Sequence, residues 1–321
     1  MRFGTALIFP AAVGLSAACL FGQGSASSPP PSTAIGPAVT QNPIAPKTIE
    51  LKPDASGVVP AAQIRALLQL AEEKDLENDK RQRDYTYIER VERHTLDGHG
   101  GVKKTETRTS EVLQICGEEV ERLTAKDDKP LPPDEAKKED DKIQKIIDKR
   151  KNESEGDRRK RLEKEEKERE EERKFVLEVS DAIDFRLVGS EVLDGHDTWV
   201  LEGEPRPGFE PKDRSARFLS KFKGRVWIDK AEAEWVKIDF TAIDTVSVGW
   251  VLARVHKGSN LIVEMARVND EVWLPKRLQL HFDARVALFK SYDDDVEQTY
   301  SDYKKFRTDT KITVLGEENR E

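Results

Sequence analysis

Few side chains in this sequence stand where their type and spacing could do chemistry. His94 and His99 flank Asp97, and His196 sits between Asp194 and Asp197, so nitrogen and oxygen donors lie at short range. Zinc needs three or four ligands converging on one point. Both sets fall instead beside turn signals, where His and Asp are common anyway. The run Asp293-Asp294-Asp295 offers oxygens to calcium but lacks the spaced ligands of a calcium loop, and it reads as a turn. No metal site is expected. Cys116, in the apolar stretch LQICG, reads as a small core residue rather than a nucleophile. The chain has no G-x-S-x-G elbow, no phosphate-binding glycine loop and no H-E-x-x-H helix. Neither an enzyme nor a cofactor is expected. Trp199, Trp227, Trp235, Trp250 and Trp273 could line a lipid cavity, although aromatics in strands usually pack or pair.

The composition narrows the partners. Among 321 residues the formal net charge is −8, which argues against nucleic acid, since phosphate binding wants a basic surface. Charged residues make up 36% and aromatics 7%, so long segments must be solvated rather than packed. Two cysteines, Cys19 and Cys116, are too few for a disulfide framework.

The N-terminus has the layout of a bacterial export signal. Arg2 precedes an uncharged apolar run over 3–21, and small residues and Pro29, Pro30 and Pro31 follow. Cleavage after Ala26 gives a signal over 1–26 and a soluble periplasmic form. Lipidation of Cys19, within LSAAC, gives a form anchored to a membrane, although the box prefers leucine where Ser16 stands. An uncleaved anchor ranks last, because Pro10 and Gly14 interrupt the run. Residues 27–59, rich in Pro, Ser and Ala, read as a disordered tether.

Folded elements are expected over 60–321 as one domain. Pro60 suits the first turn of a helix, and Ile64, Leu67, Leu68 and Ala71 make a single apolar face before charge takes over. Strands are then expected over 85–95, 102–115 and 120–124, the first two joined across Gly98-His99-Gly100-Gly101. Residues 130–174 are a charged helical insertion. Positions 134–174 hold sixteen basic and sixteen acidic side chains, many at i, i+4 with the acid first. Ser154 with Asp157 resembles a capping box, which predicts two helices broken near Gly156. Ile143, Ile146 and Ile147 give only a small apolar stripe, so the insertion should pack weakly.

Strands return after Phe175. A hairpin closes at Asp194-Gly195, a loop covers 205–221, and GRVWIDKAEAEWVKIDF over 224–240 is the central hairpin. There Val236, Ile238 and Phe240 alternate with Lys237 and Asp239, matched by Val226 and Ile228, with Trp227 and Trp235 on the other face. Residues 246–255 fit a short helix or a strand. Further strands are expected over 261–268, 272–282, 296–306 and 311–315. The fold class is α+β: a strongly curved antiparallel sheet of about ten strands, a half-open barrel, with a covering N-terminal helix and the charged insertion.

From Val188 to Phe306 the chain resembles periplasmic lipoprotein carriers of the LolA/LolB type, in its divergent lipoprotein-sorting-like members. The residues that carry this are GSEVLDGHDTWVLEGEP, GRVWIDKAEAEWVKIDF, VNDEVWLPKRLQLHF and YSDYKKF, and the Ile64–Ala71 helix fits the family's opening helix. The resemblance implies a half-barrel whose concave side, covered by helices, shelters acyl chains of lipids or lipoproteins. The charged insertion departs from the compact carriers, and no ligand-contacting residue of that family matches a position here.

Two functions are expected from these readings. One is an exported envelope protein that binds acyl chains, with Ile64, Leu67, Leu68, Val236, Ile238 and Phe240 lining the apolar face. The other is a structural or regulatory envelope module with a filled core, which binds a protein partner through the 134–174 helices. Contact with a membrane surface suits either.

Overall fold

Pro60 stands at the N-cap of the first helix. The computed structural model describes residues 48–115, 118–161, 181–211, 214–248, 253–286 and 290–305, with Glu163, Lys164, Lys167 and Val179 besides. Helix α1 spans Ala61–Gln82. Its face of Ile64, Leu67, Leu68 and Ala71 is 0–4% exposed. Residues before Pro60, assigned above to a tether, add Leu51 and Val59 to the same buried cluster. Cys19, Cys116, Trp250 and the strand expected over 311–315 lie outside the described residues.

Thirteen strands form one antiparallel sheet. They are β1 Tyr85–Leu96, β2 Val102–Ile115, β3 Glu118–Lys126, β4 Lys129–Pro130, β5 Ile183–Leu193, β6 His196–Pro205, β7 Phe222–Asp229, β8 Trp235–Ala242, β9 Val246–Val248, β10 Ala253–Val255, β11 Asn260–Val268, β12 Val272–Val286 and β13 Lys290–Lys305. The order across the sheet is β4-β3-β2-β1-β13-β12-β11-β8-β7-β6-β5, with β10 paired to β12 and β9 to β10 off this path. Pairing of β1 with β13 joins the first strands to the last ones. The two edges, β4 and β5, are therefore consecutive strands. The chain that connects them is the charged insertion.

The expected total of ten is exceeded by β4, β9 and β10, which have two or three residues each and are too short for alternation to show. Within 246–255, where a short helix or a strand was expected, Val246–Val248 and Ala253–Val255 are strands. Asp293, Asp294 and Asp295 stand in the middle of β13 and not in a turn. Part of the expected 205–221 loop is a 3-10 helix, Arg214–Lys221. Tight hairpins use left-handed pairs, Asp194-Gly195, Asn269-Asp270 and Asp127-Asp128, which match the twist of the strands they join. Only the first announces itself by composition.

Helix α2, Pro133–Lys151, packs on the outside of the β2–β3 edge. It is better anchored than its charge suggests. Ile143 is 6% exposed, clustered with Ile115 and Val120, and Ile146 and Ile147 pack alongside. The helix also reaches the backbone of β3. The Leu123 N–H donates to the Glu139 carboxylate at 3.3 Å, and Lys142 Nζ donates to the Glu121 carbonyl at 2.9 Å. Its break falls at Asn152–Ser154, before Gly156. Ser154 Oγ accepts from the Asp157 N–H at 3.2 Å, so helix resumes at residue 155.

Candidate functional site: the inner face of the half-barrel

Alternation along each strand and the register between strands fix which side chains share the inner face. One row runs Leu187, Leu201, Val226, Ile238, Val263, Leu278 from β5 to β12. The next runs Phe185, Gly203, Gly224, Phe240, Leu261, Leu280. The two glycines of this row pair directly across β6 and β7. A Cβ on Gly224 would stand 2.0 Å from the Asp239 backbone oxygen, so only glycine allows the strands to approach there.

Helix α1 lies across this floor, against β5 and β12. Ile64, Leu67 and Leu68 join Val236 and Ile238 in one buried cluster, with Phe240 packed at its border. All six residues named from the sequence are thus brought together. They fill the space between helix and sheet with one another. Val236 is 3% and Ile238 8% exposed.

The C-terminal half of α1 is fastened by a side chain that sequence reasoning missed. Asn78, 3% exposed, accepts from the Trp273 N–H at 2.7 Å and donates to the Trp273 carbonyl at 2.5 Å. Arg81 donates to the Glu271 carbonyl at 2.8 Å. The available signal was spacing: Asn78 follows Ala71 by seven residues and so extends the buried face into the charged half. Beside it lies Glu234, whose carboxyl is pushed up to about 8. Burial is the main cause, and Asp75 and Glu232 add to it against Lys74 and Arg81.

Beyond β12 the inner face turns polar. Tyr300 on β13, a member of the apolar cluster, pairs with Glu89 on β1, and Glu89 pairs with Ser110 on β2. Gln114 pairs with Glu119 on β3, which accepts from the Tyr87 hydroxyl at 2.6 Å. Burial pushes the Glu89 carboxyl up to about 7, helped by Glu121 and Glu119 and opposed by a Gln298 hydrogen bond and by Arg108. None of these residues carried a motif. They become a group only once the β1–β2–β3 register is known.

The residues considered for metal go elsewhere. Asp194 pairs with Lys276, Asp197 with Lys230 at 2.8 Å, and His196 with Asp229 at 3.2 Å. His94 contacts Glu92 and Thr105, and the Asp97 carboxylate accepts from the His99 and Gly101 N–H groups, which closes its own turn. Asp294 is held by Arg93 and Thr95, and Asp295 by His281. Among the described residues no three His, Cys, Asp or Glu side chains converge. Outside the barrel, a shallow groove of about 200 Å³ runs between α2 and β3–β4, lined by Leu123, Pro130, Leu131 and Ala136. Among the described residues no helix is long and apolar enough to cross a membrane.

No family model and no curated protein matches the chain. Solved structures do. A domain from Vibrio parahaemolyticus named for outer membrane lipoprotein sorting aligns over 76% of this chain and 94% of its own, at 13% identity and a TM-score of 0.32. A DUF1329 family protein from Desulfovibrio piger aligns over 77% and 95%, at 11% identity and a TM-score of 0.30. A LolA superfamily protein from Nitrosomonas europaea aligns over 76% and 93%, at 14% identity and a TM-score of 0.29. At this level the likeness transfers no site and no ligand. By its own strand order and helix packing the chain is an α+β half-open barrel.

Proposed function

We propose that this is an exported cell-envelope protein that takes an acyl chain of a lipid or lipoprotein between α1 and the inner face of its half-barrel. The observation that carries this reading is an apolar floor running from β5 to β12 with a single helix laid across it. The floor is occupied by Ile64, Leu67 and Leu68, so the helix acts as a lid that a ligand must displace. Burying those three side chains stabilises the closed form by roughly 5–9 kcal/mol, at about 1.5–3 kcal/mol each. A long acyl chain returns about 0.8 kcal/mol per methylene, so a chain of about ten methylenes breaks even and a palmitoyl chain wins. Short chains lose.

An environment-sensitive fatty-acid probe tests this directly. Binding, with displacement by palmitate and none by octanoate at equal concentration, is the expected result. Phe240→Asp, checked for folding by circular dichroism, should abolish it. Absence of binding at any chain length would favour a second reading, which the dense packing of the six residues supports. In that reading the core is permanently filled, and the domain is a structural or regulatory envelope module that binds protein through its charged helices.

Export rests on the apolar run after Arg2, with soluble periplasmic and Cys19-lipidated forms as its two outcomes. Fractionation of tagged cells, with labelled fatty-acid incorporation into wild type and Cys19→Ser, distinguishes them. Full-length protein retained in the cytosol would rule export out.

A further inference from the structure

A row of four residues on the outer face of the sheet has the make-up of an anion site. Arg254 on β10 stands directly across from Arg285 on β12, with Ser247 of β9 beside the first and Ser291 of β13 beside the second. Directly opposed residues share one face of a sheet. All four are exposed. The adjoining row, Val246, Val255, Ala284 and Tyr292, belongs to a buried cluster on the other face. Like charges directly opposite one another destabilise a ladder. Among the described residues no carboxylate pairs with either arginine. The acids of the next row on this face are Asp283, which contacts His256 at 2.8 Å, and Asp293 across from it. They lie further from the strand ends and leave the rim positive. In a chain of net charge −8 the arginine pair is a local exception.

We propose that this row docks the protein on an anionic phospholipid surface, with the two guanidinium groups and the two hydroxyls meeting lipid phosphates. This goes beyond the acyl-binding reading and does not rest on it. Guanidinium forks match phosphate oxygens in pairs, and serine hydroxyls donate to the same oxygens. The sequence that continues the row favours a membrane over a soluble anion. Residues 249–252, Gly-Trp-Val-Leu, join β9 to β10, and residues 287–289, Ala-Leu-Phe, join β12 to β13. Hairpin connections draw mostly on polar residues and glycine, yet these two hold no charge and no polar side chain but the indole. Both lie outside the described residues, and the strand ends they leave from, Ala253 and Val286, are paired. A basic row followed by apolar and aromatic residues has the composition of an interfacial anchor.

Co-sedimentation of the full chain with vesicles tests this, using phosphatidylcholine alone and phosphatidylcholine mixed equally with phosphatidylglycerol. The readout is the ratio of the two partition coefficients, which cancels the contribution of the apolar N-terminal run. Each basic side chain near an anionic surface is worth roughly fivefold in binding. Wild type should therefore prefer the anionic vesicles by roughly 25-fold, Arg254→Gln and Arg285→Gln by roughly fivefold, and the double variant by little. Added salt should weaken the preference. Lys103→Gln, the same change of charge at an exposed position of β2, should match wild type. Both arginine variants should melt at or above the wild-type temperature, since each relieves a like-charge contact. A fall would mark the arginines as structural and overturn the surface. No preference for anionic vesicles, or an equal loss in Lys103→Gln, overturns it as well. So does binding of polyglutamate in place of vesicles, lost in the same two variants, which would make the partner an acidic protein.

Discussion

At the residue scale, the decisive features are those that break a local rule. Gly224 reads as an unremarkable strand position, yet a Cβ there meets the Asp239 backbone oxygen at 2.0 Å and the Phe240 Cα at 2.8 Å. Gly224→Ala should therefore destabilise the fold by about 3 kcal/mol or more, since neither contact belongs to a flexible side chain; chemical denaturation checks it. Glu234 gives a pH signature. Its carboxyl titrates at about 8 folded and near 4.5 unfolded, so between those values the folded state holds more protons. Stability should then fall as pH rises from about 4.5 to 8 and level off above. Melting curves of Glu234→Gln should show the variant gaining most over wild type at pH 8 and least at pH 5. The apolar alternation of Val236, Ile238 and Phe240 was legible because period 2 is a local property. Glu89, Ser110 and Gln114 were not, because their grouping depends on the residue-by-residue register between paired strands.

At the element scale, α1 and α2 illustrate the same division. The apolar stripe of α1 predicted its burial, but its anchor is a polar residue in the charged half. Loss of the Asn78 side chain leaves the Trp273 N–H without that partner and its carbonyl with only the long Gln82 contact at 3.5 Å, at a cost of roughly 1–3 kcal/mol. If α1 is a displaceable lid, Asn78→Ala should lower the melting temperature and yet raise apparent affinity for a long-chain probe. Helix α2 was read as an appendage because charge dominates its sequence. Three isoleucines and two contacts to the β3 backbone make it the cover of an edge strand instead. Replacing 137–169 by a Gly/Ser linker should keep a cooperative unfolding transition, since long loops cost little entropy per added residue. The variant should self-associate through the uncovered β3 edge, which analytical ultracentrifugation would show as a concentration-dependent shift.

At the scale of the whole molecule, the topology ties the parts together. The edge strands β4 and β5 are neighbours in sequence and opposite ends of the sheet, so the charged insertion leads from one side of the half-barrel to the other. Curvature, the covering helix and the ten longer strands were legible from hairpin signals and alternation. The joining of β1 to β13 was not, since it links strands some two hundred residues apart and leaves no local mark. Among the described residues the one element lying across the apolar floor is α1, and the central claim is that it can leave. Hydrogen exchange of the α1 amides, with and without a saturating sixteen-carbon amphiphile, measures this most directly. A displaceable lid predicts that 61–72 exchange faster with ligand bound, while β7, β8 and β11 become more protected. Unchanged protection of α1 in the presence of bound ligand, or exchange of α1 only through global unfolding under all conditions, would contradict it.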